Sequence, residues 1–348
     1  MARERIIVKE AINALKCLLN EVIKKVSCES GDPPEKIALS SNLLSFAIRF
    51  LHEIPKIRDI ILELTYRLEK LGHVLIDNAS NILVTDNVTV INYDHETVYC
   101  LQIYPIARML EALGGVYNSL PQYRNNEERD LIDDILNLFM KIFSSELVHD
   151  IFDSNQKLVP IVQGLLSVSK RLYDKNRIIM VDKILNKVLE LALEEDPLLS
   201  KIYTQDIYYL IKMQKNDMLS DEEIKPLYAN TNSNIFKKVL KGIEYLAIFG
   251  FDPPQSSIDF VLSKMPIFFN EVFRIGDPEK TFIYFSSIAE SIHNILRFYN
   301  NKAFAQATMN HLIEDTGWIA RNNYNPIDFI KTVVGTSLLI HARGAIRR

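Results

Sequence analysis

The stretch Ile7-x-x-x-Ala11-Ile12-x-x-Leu15-x-x-Leu18-Leu19-x-x-Val22-Ile23-x-x-Val26 decides the fold class. Apolar side chains recur every three or four residues, which places them on one side of an α-helix and leaves Lys9, Lys16 and Lys24 outside that stripe. The same period returns in Ile57–Leu71, Leu131–Leu147, Leu158–Leu172, Ile178–Leu193, Leu198–Met213, Ile235–Phe249, Ile258–Phe273, Phe282–Tyr299 and Ile327–Ile340. The sequence therefore predicts an all-α protein of about a dozen helices in antiparallel pairs, arranged as an α-solenoid-like or an irregular helical array.

Punctuation between the helices agrees with this reading. Asp-Pro stands at Asp32-Pro33, Asp196-Pro197, Asp252-Pro253 and Asp277-Pro278, and Asn325-Pro326 repeats the pattern. An Asp or Asn side chain accepts a bond from an orphan helix amide, and a proline just inside the helix has no amide to lose. Ser220-Asp221-Glu222-Glu223 has the spacing of a capping box. Glycine is scarce, 11 in 348 residues, which disfavours sheets, barrels and dinucleotide-binding units. One segment departs from the helical period. Asn81 to Tyr93 is rich in β-branched residues around Asp86-Asn87, so a short β-hairpin is expected near residues 82–93, packed on the helices.

Polar, turn-rich connections at 114–126 and 216–234 suggest three units, 1–120, 121–216 and 217–348, with soft boundaries. The final helix, with Phe329, Val333, Val334, Leu338, Leu339 and Ile340, is apolar almost all round. It must be buried, most simply inside the chain and otherwise in an oligomer. The most apolar stretch, Val333–Ile340, is shorter than the roughly 20 residues of a membrane span, so no membrane association is expected. Cys17, Cys28 and Cys100 are odd in number and loosely spaced, and the start Met1-Ala2-Arg3-Glu4-Arg5 does not read as a secretory signal. Both point to a reducing, cytoplasmic location.

Two regions resemble the helix pairs of HEAT/armadillo-type repeat proteins. In the first, Leu158-Val159-Pro160-Ile161 opens a helix, Asp174-Lys175-Asn176-Arg177 forms a turn, and Val181, Ile184, Leu185, Val188 and Leu191 stripe the second helix. In the second, Met265-Pro266 lies in the first helix, Asp277-Pro278 turns the chain, and Phe282 to Leu296 forms the partner. Ile54-Pro55-Lys56-Ile57 begins a similar helix, although no regular period links the three. The resemblance implies a stack of helix pairs with an extended surface for a protein or nucleic-acid partner.

Motifs of common chemistry are weakly represented. His52, His73, His95, His149, His293, His311 and His341 are scattered, and no two share a helix face, so no metal site is expected. Walker-type and dinucleotide glycine loops do not occur, nor does a Gly-x-Ser-x-Gly elbow, so no cofactor is expected. Asn216-Asp217-x-x-Ser220-x-x-Glu223 resembles the second magnesium motif of class I terpene synthases, which implies Mg²⁺-dependent diphosphate chemistry with Asp130, Asp133 and Asp134 as further ligands. Lys170/Arg171 and Arg297-Tyr299 are the groups such chemistry would use to bind the diphosphate. It departs from that motif at position 224, where the glutamate is replaced by Ile224, and its acidic triplet is out of the usual order.

Charge is balanced overall at −4, with 40 basic against 44 acidic side chains, but unevenly spread. Glu127, Glu128, Asp130, Asp133 and Asp134 crowd one helix start, while Lys170, Arg171, Lys175, Arg177, Lys183 and Lys187 form a basic cluster. That cluster is the candidate binding patch. With Tyr203, Tyr208 and Tyr209, and the tail Arg343, Arg347 and Arg348, it makes nucleic acid an alternative partner. The expectation is a scaffold that binds a macromolecule, most simply a protein, without catalysis.

Overall fold

The three-dimensional structure is a computed structural model, and it describes residues 2–26, 32–84, 95–120, 126–145, 148–169, 175–194, 207, 211, 236–274, 276–314 and 325–347. Among the described residues every regular element is helical and there is no strand. The chain divides into two compact units, Ile23–Asp217 and a second formed by Met1–Val22 with Met218–Arg348.

In the first unit the helices are α2 (Pro34–Leu51), α3 (Arg58–Val84), α4 (His95–Val98), α5 (Tyr104–Ser119), α6 (Asn126–Ile142), α7 (Val148–Ile151), α8 (Asn155–Ser169) and α9 (Lys175–Glu194). A π-helical turn, Tyr99–Ile103, joins α4 to α5. Consecutive long helices fall alternately into two rows. In one row α2 packs on α5 and α5 on α8; in the other α3 packs on α6 and α6 on α9. The pairs α2/α3, α5/α6 and α8/α9 connect the rows.

The two rows differ in burial. Ile37, Leu43, Leu44, Phe46, Ala47, Ile48, Phe50 and Leu51 bury α2 on every side, and α5 is buried likewise from Tyr104 to Leu110. Helices α3 and α9 keep one polar face outward, with Glu63, Lys70 and His73 exposed on α3 and Asp182, Lys183 and Asn186 on α9. Small residues set the tight approach of α5 to α8. A Cβ on Gly164 would meet the Ala107 carbonyl oxygen at 2.7 Å, and one on Gly114 would overlap the side chain of Ser167. Ser167 Oγ reaches across to the Leu110 carbonyl at 3.2 Å.

The second unit repeats the alternation with α10 (Phe236–Ile248), α11 (Gln255–Arg274), α12 (Pro278–Phe298), α13 (Lys302–Glu314) and α14 (Pro326–Arg347). Here α12 packs on both α10 and α14, while α11 packs on α13. Helix α1 (Ala2–Lys25) contributes its first part to this unit. Buried Glu244 on α10 ties the central row together: it accepts bonds of 2.6 Å from Lys241 Nζ, Ser291 Oγ and Asn294 Nδ2, the last two on α12. The final helix is buried at Phe329, Val333, Val334, Leu338 and Leu339, and it packs on α12 and α13 of its own chain. No helix among the described residues is long and apolar enough to cross a membrane.

Two expectations need correction. The extended segment does not begin at Ile82, because Ile82, Leu83 and Val84 close α3. The apolar stripe of Leu64, Leu68, Leu71, Leu75 and Ala79 carries the helix into them, and packing overrides β-propensity. Residues 85–94, the rest of the expected hairpin, lie outside the described residues. The Asp-Pro caps also divide into two kinds. Asp277 caps α12, accepting from the amides of Glu279 at 2.9 Å and Lys280 at 3.3 Å. Asn325 caps α14 through the Ile327 amide at 2.9 Å. Asp32 and Asp252 do not cap, and each is followed by two prolines. A residue before proline is driven out of the helical region. Pro33 is extended, with ψ 142°, and becomes the N-cap itself, while Asp32 pairs with Lys36 at 2.7 Å. At the second site α11 begins only at Gln255. Asp196 and the Ser220–Glu223 box lie outside the described residues.

Candidate functional site

A buried charged group in the first unit lies where α2, α5 and α8 meet. Ser45 and Arg49 share a face of α2 by their i, i+4 spacing, as Tyr104, Arg108 and Glu111 share one of α5. Glu111 Oε2 is 2.9 Å from Arg49 Nε and accepts a bond of 2.9 Å from Arg108 Nη1. Arg108 Nη1 also donates to Gln163 Oε1 on α8 at 2.8 Å, and its guanidinium lies 5.3 Å from the centre of the Tyr104 ring. Both arginine side chains are about 5% exposed (5% and 6%), Glu111 19%. Burial alone would push the Glu111 carboxyl up, but Arg49 and Arg108 outweigh it and hold it below its usual range. Burial lowers Arg49 to about 10, against the pull of Glu111. Arg108 is raised, because Tyr104 and Glu111 more than offset its burial.

A second cluster surrounds Lys157 at the start of α8. Its Nζ pairs with Glu96 on α4 and with Asp153 at 3.0 Å, and lies 5.2 Å from the Tyr99 ring centre. The Tyr99 hydroxyl donates to the Lys157 carbonyl at 3.0 Å, and burial raises the Tyr99 phenol well above its ordinary value. Burial would lower Lys157, yet Glu96 and Asp153 raise it. Glu111, Lys157 and the arginines all stay in their ordinary charge states at neutral pH. Proton exchange needs groups poised near neutrality, so both clusters are suited to holding helices in register instead.

Two residues of the basic patch expected from sequence, Arg177 and Lys187, have partners in or just after α6. Arg177 on α9 pairs with Asp133 on α6, so one acidic and one basic member of the two charge runs meet. Lys187 donates to the Phe143 carbonyl at 3.1 Å and to Ser144 Oγ at 2.8 Å. Lys183 is exposed. Lys170, Arg171, the side chain of Lys175 and Asp217 lie outside the described residues. Asp134 is exposed on α6.

Sequence reasoning missed Arg49, Arg108 and Glu111. Their signal is a charged residue in an otherwise apolar run, Phe46-Ala47-Ile48-Arg49-Phe50-Leu51 and Ile106-Ala107-Arg108-Met109-Leu110-Glu111. Such residues are buried only when partnered. The partners lie in different helices, which spacing along the chain does not reveal.

No protein-family model matches this chain, and no curated protein or solved structure shows significant similarity to it.

Proposed function

We propose that the protein is a non-catalytic scaffold whose helix pairs form an α-solenoid-like stack and bind a protein partner through the row α3, α6 and α9. The observation that carries this reading is the alternation of long helices in the first unit between a more deeply buried row and one whose helices keep a face outward. An array of this kind presents successive helices side by side, giving an extended surface in place of a single pocket. Large apolar side chains stand out on the otherwise polar faces of its two outer helices: Tyr66 on α3 is 48% exposed and Ile179 on α9 is 51% exposed. Aromatic and branched side chains within a polar rim are the usual anchors of protein interfaces. The proposed location is the cytoplasm.

Site-specific photo-crosslinking in the native cell tests the reading. A photoreactive residue at position 66 or 179 is expected to yield a discrete adduct with the same protein, and one at exposed Asn310 on α13 is not. No discrete adduct at either position would overturn the proposal. Adducts removed by nuclease would overturn it in favour of the nucleic-acid alternative.

A further inference from the structure

Outside the two clusters already described, two histidines meet in the second unit. His293 on α12 and His341 on α14 are half-buried, with ring centres 4.0 Å apart and planes inclined at 60°. Their ligand nitrogens approach within 4.8 Å of one another. The two helices pack against each other, so the pair is held by helical elements and not by loops. Ser337, one turn before His341 on the same helix, places its Oγ 3.5 Å from Nδ1 of His293. A partner on one ring nitrogen fixes the orientation of an imidazole and directs the other nitrogen outward as a ligand.

We propose that His293 and His341 form a binding site for a divalent transition ion of the class imidazole favours, Zn²⁺, Ni²⁺ or Cu²⁺. Metal–nitrogen bonds of about 2.0–2.1 Å hold two imidazoles on one ion with their ring centres about 5 Å apart. The observed 4.0 Å is about 1 Å shorter, so ion binding requires the two rings to move apart by about that much. The two histidines supply two nitrogen ligands, and solvent or further side chains complete the shell. Bridging α12 to α14, a bound ion stabilises the folded second unit by mass action, so its effect is readable in thermal unfolding as well as in binding. The pair is invisible in the sequence because its members come from helices separated by all of α13.

The test uses the purified full chain and the metal alone. Titration calorimetry with Zn²⁺ is expected to show one bound equivalent, weakened at least tenfold in His293→Asn and in His341→Asn. His73→Asn, on the exposed face of α3, is expected to bind as the unaltered chain does. Zn²⁺ is likewise expected to raise the unfolding temperature of the unaltered chain and of His73→Asn, but not of the other two variants. Equal affinity in all four proteins, or no binding to the unaltered chain, would overturn the proposal. Should either variant fail to fold, pulsed electron paramagnetic resonance of the Cu²⁺-loaded unaltered chain decides. Coupling to the remote nitrogens of two imidazoles is expected, and one or none overturns the site.

Discussion

Glu111 is the residue on which the first unit's charges turn. Its carboxylate faces two buried guanidinium groups, so removing its charge leaves both arginines without that counterion in a low-dielectric setting. Breaking a buried pair from one side costs about 3–5 kcal/mol. Glu111→Gln is therefore expected to lower unfolding free energy by that order in urea titration, and a loss below about 1 kcal/mol would contradict the buried-pair account. The pH dependence follows from the same geometry. The folded-state value of Glu111 lies below its unfolded one, so its stabilisation is fully present above the usual carboxylate range. It is lost as pH falls through the depressed folded value. Stability of the unaltered chain should accordingly decline on acidification more steeply than that of Glu111→Gln, measured by urea midpoints across acidic pH. The sequence announces Arg49, Arg108 and Glu111 as anomalies within apolar runs, but it does not say that they find each other.

At the scale of elements, legibility depended on how each helix is buried. Helices with one polar face, such as α3, α6 and α9, write a clear three-to-four period; the expected span of α9 falls within the observed one, that of α3 stops at Leu71 where the helix runs to Val84, and that of α6 runs past its end at Ile142. Helices α2 and α5 gave no such stripe, because burial on all sides removes the contrast that periodicity needs. The caps were legible through one further rule: a second proline displaces the preceding Asp from the capping position. Asp277→Ala is thus expected to cost about 1 kcal/mol of stability, as a lost N-cap does. Asp252→Ala should change it by less than about 0.5 kcal/mol. Equal losses in chemical denaturation would contradict the distinction. The α5/α8 contact makes a separate prediction. Gly164→Ala places a methyl group against the Ala107 carbonyl, a backbone atom that cannot step aside. Overpacking of this kind costs about 1–3 kcal/mol. Gly344→Ala, where a Cβ meets nothing within 4 Å, is expected to be neutral or mildly stabilising.

Over the whole molecule, the all-α class follows from period, glycine scarcity and helix punctuation together, whereas the alternation of helices between rows became apparent only in the contacts of α2 with α5 and α5 with α8. The basic cluster illustrates why a surface is harder to read than a class. Arg177 and Lys187 belong to a run of like charge along the sequence, and only the fold shows that both are held by α6 or by the residues just after it. The apolar side chains left outward on α3 and α9 are few and far apart in sequence, so only the folded chain sets them on the same row. The measurement that tests the scaffold reading most directly is quantitative affinity capture from the native cell. It compares the unaltered chain, a Tyr66→Glu/Ile179→Glu variant and an Asn310→Glu control, all shown to be folded. The variant is predicted to lose at least tenfold of one protein that the unaltered chain and the control both retain; equal recovery of every captured protein from all three would contradict the account.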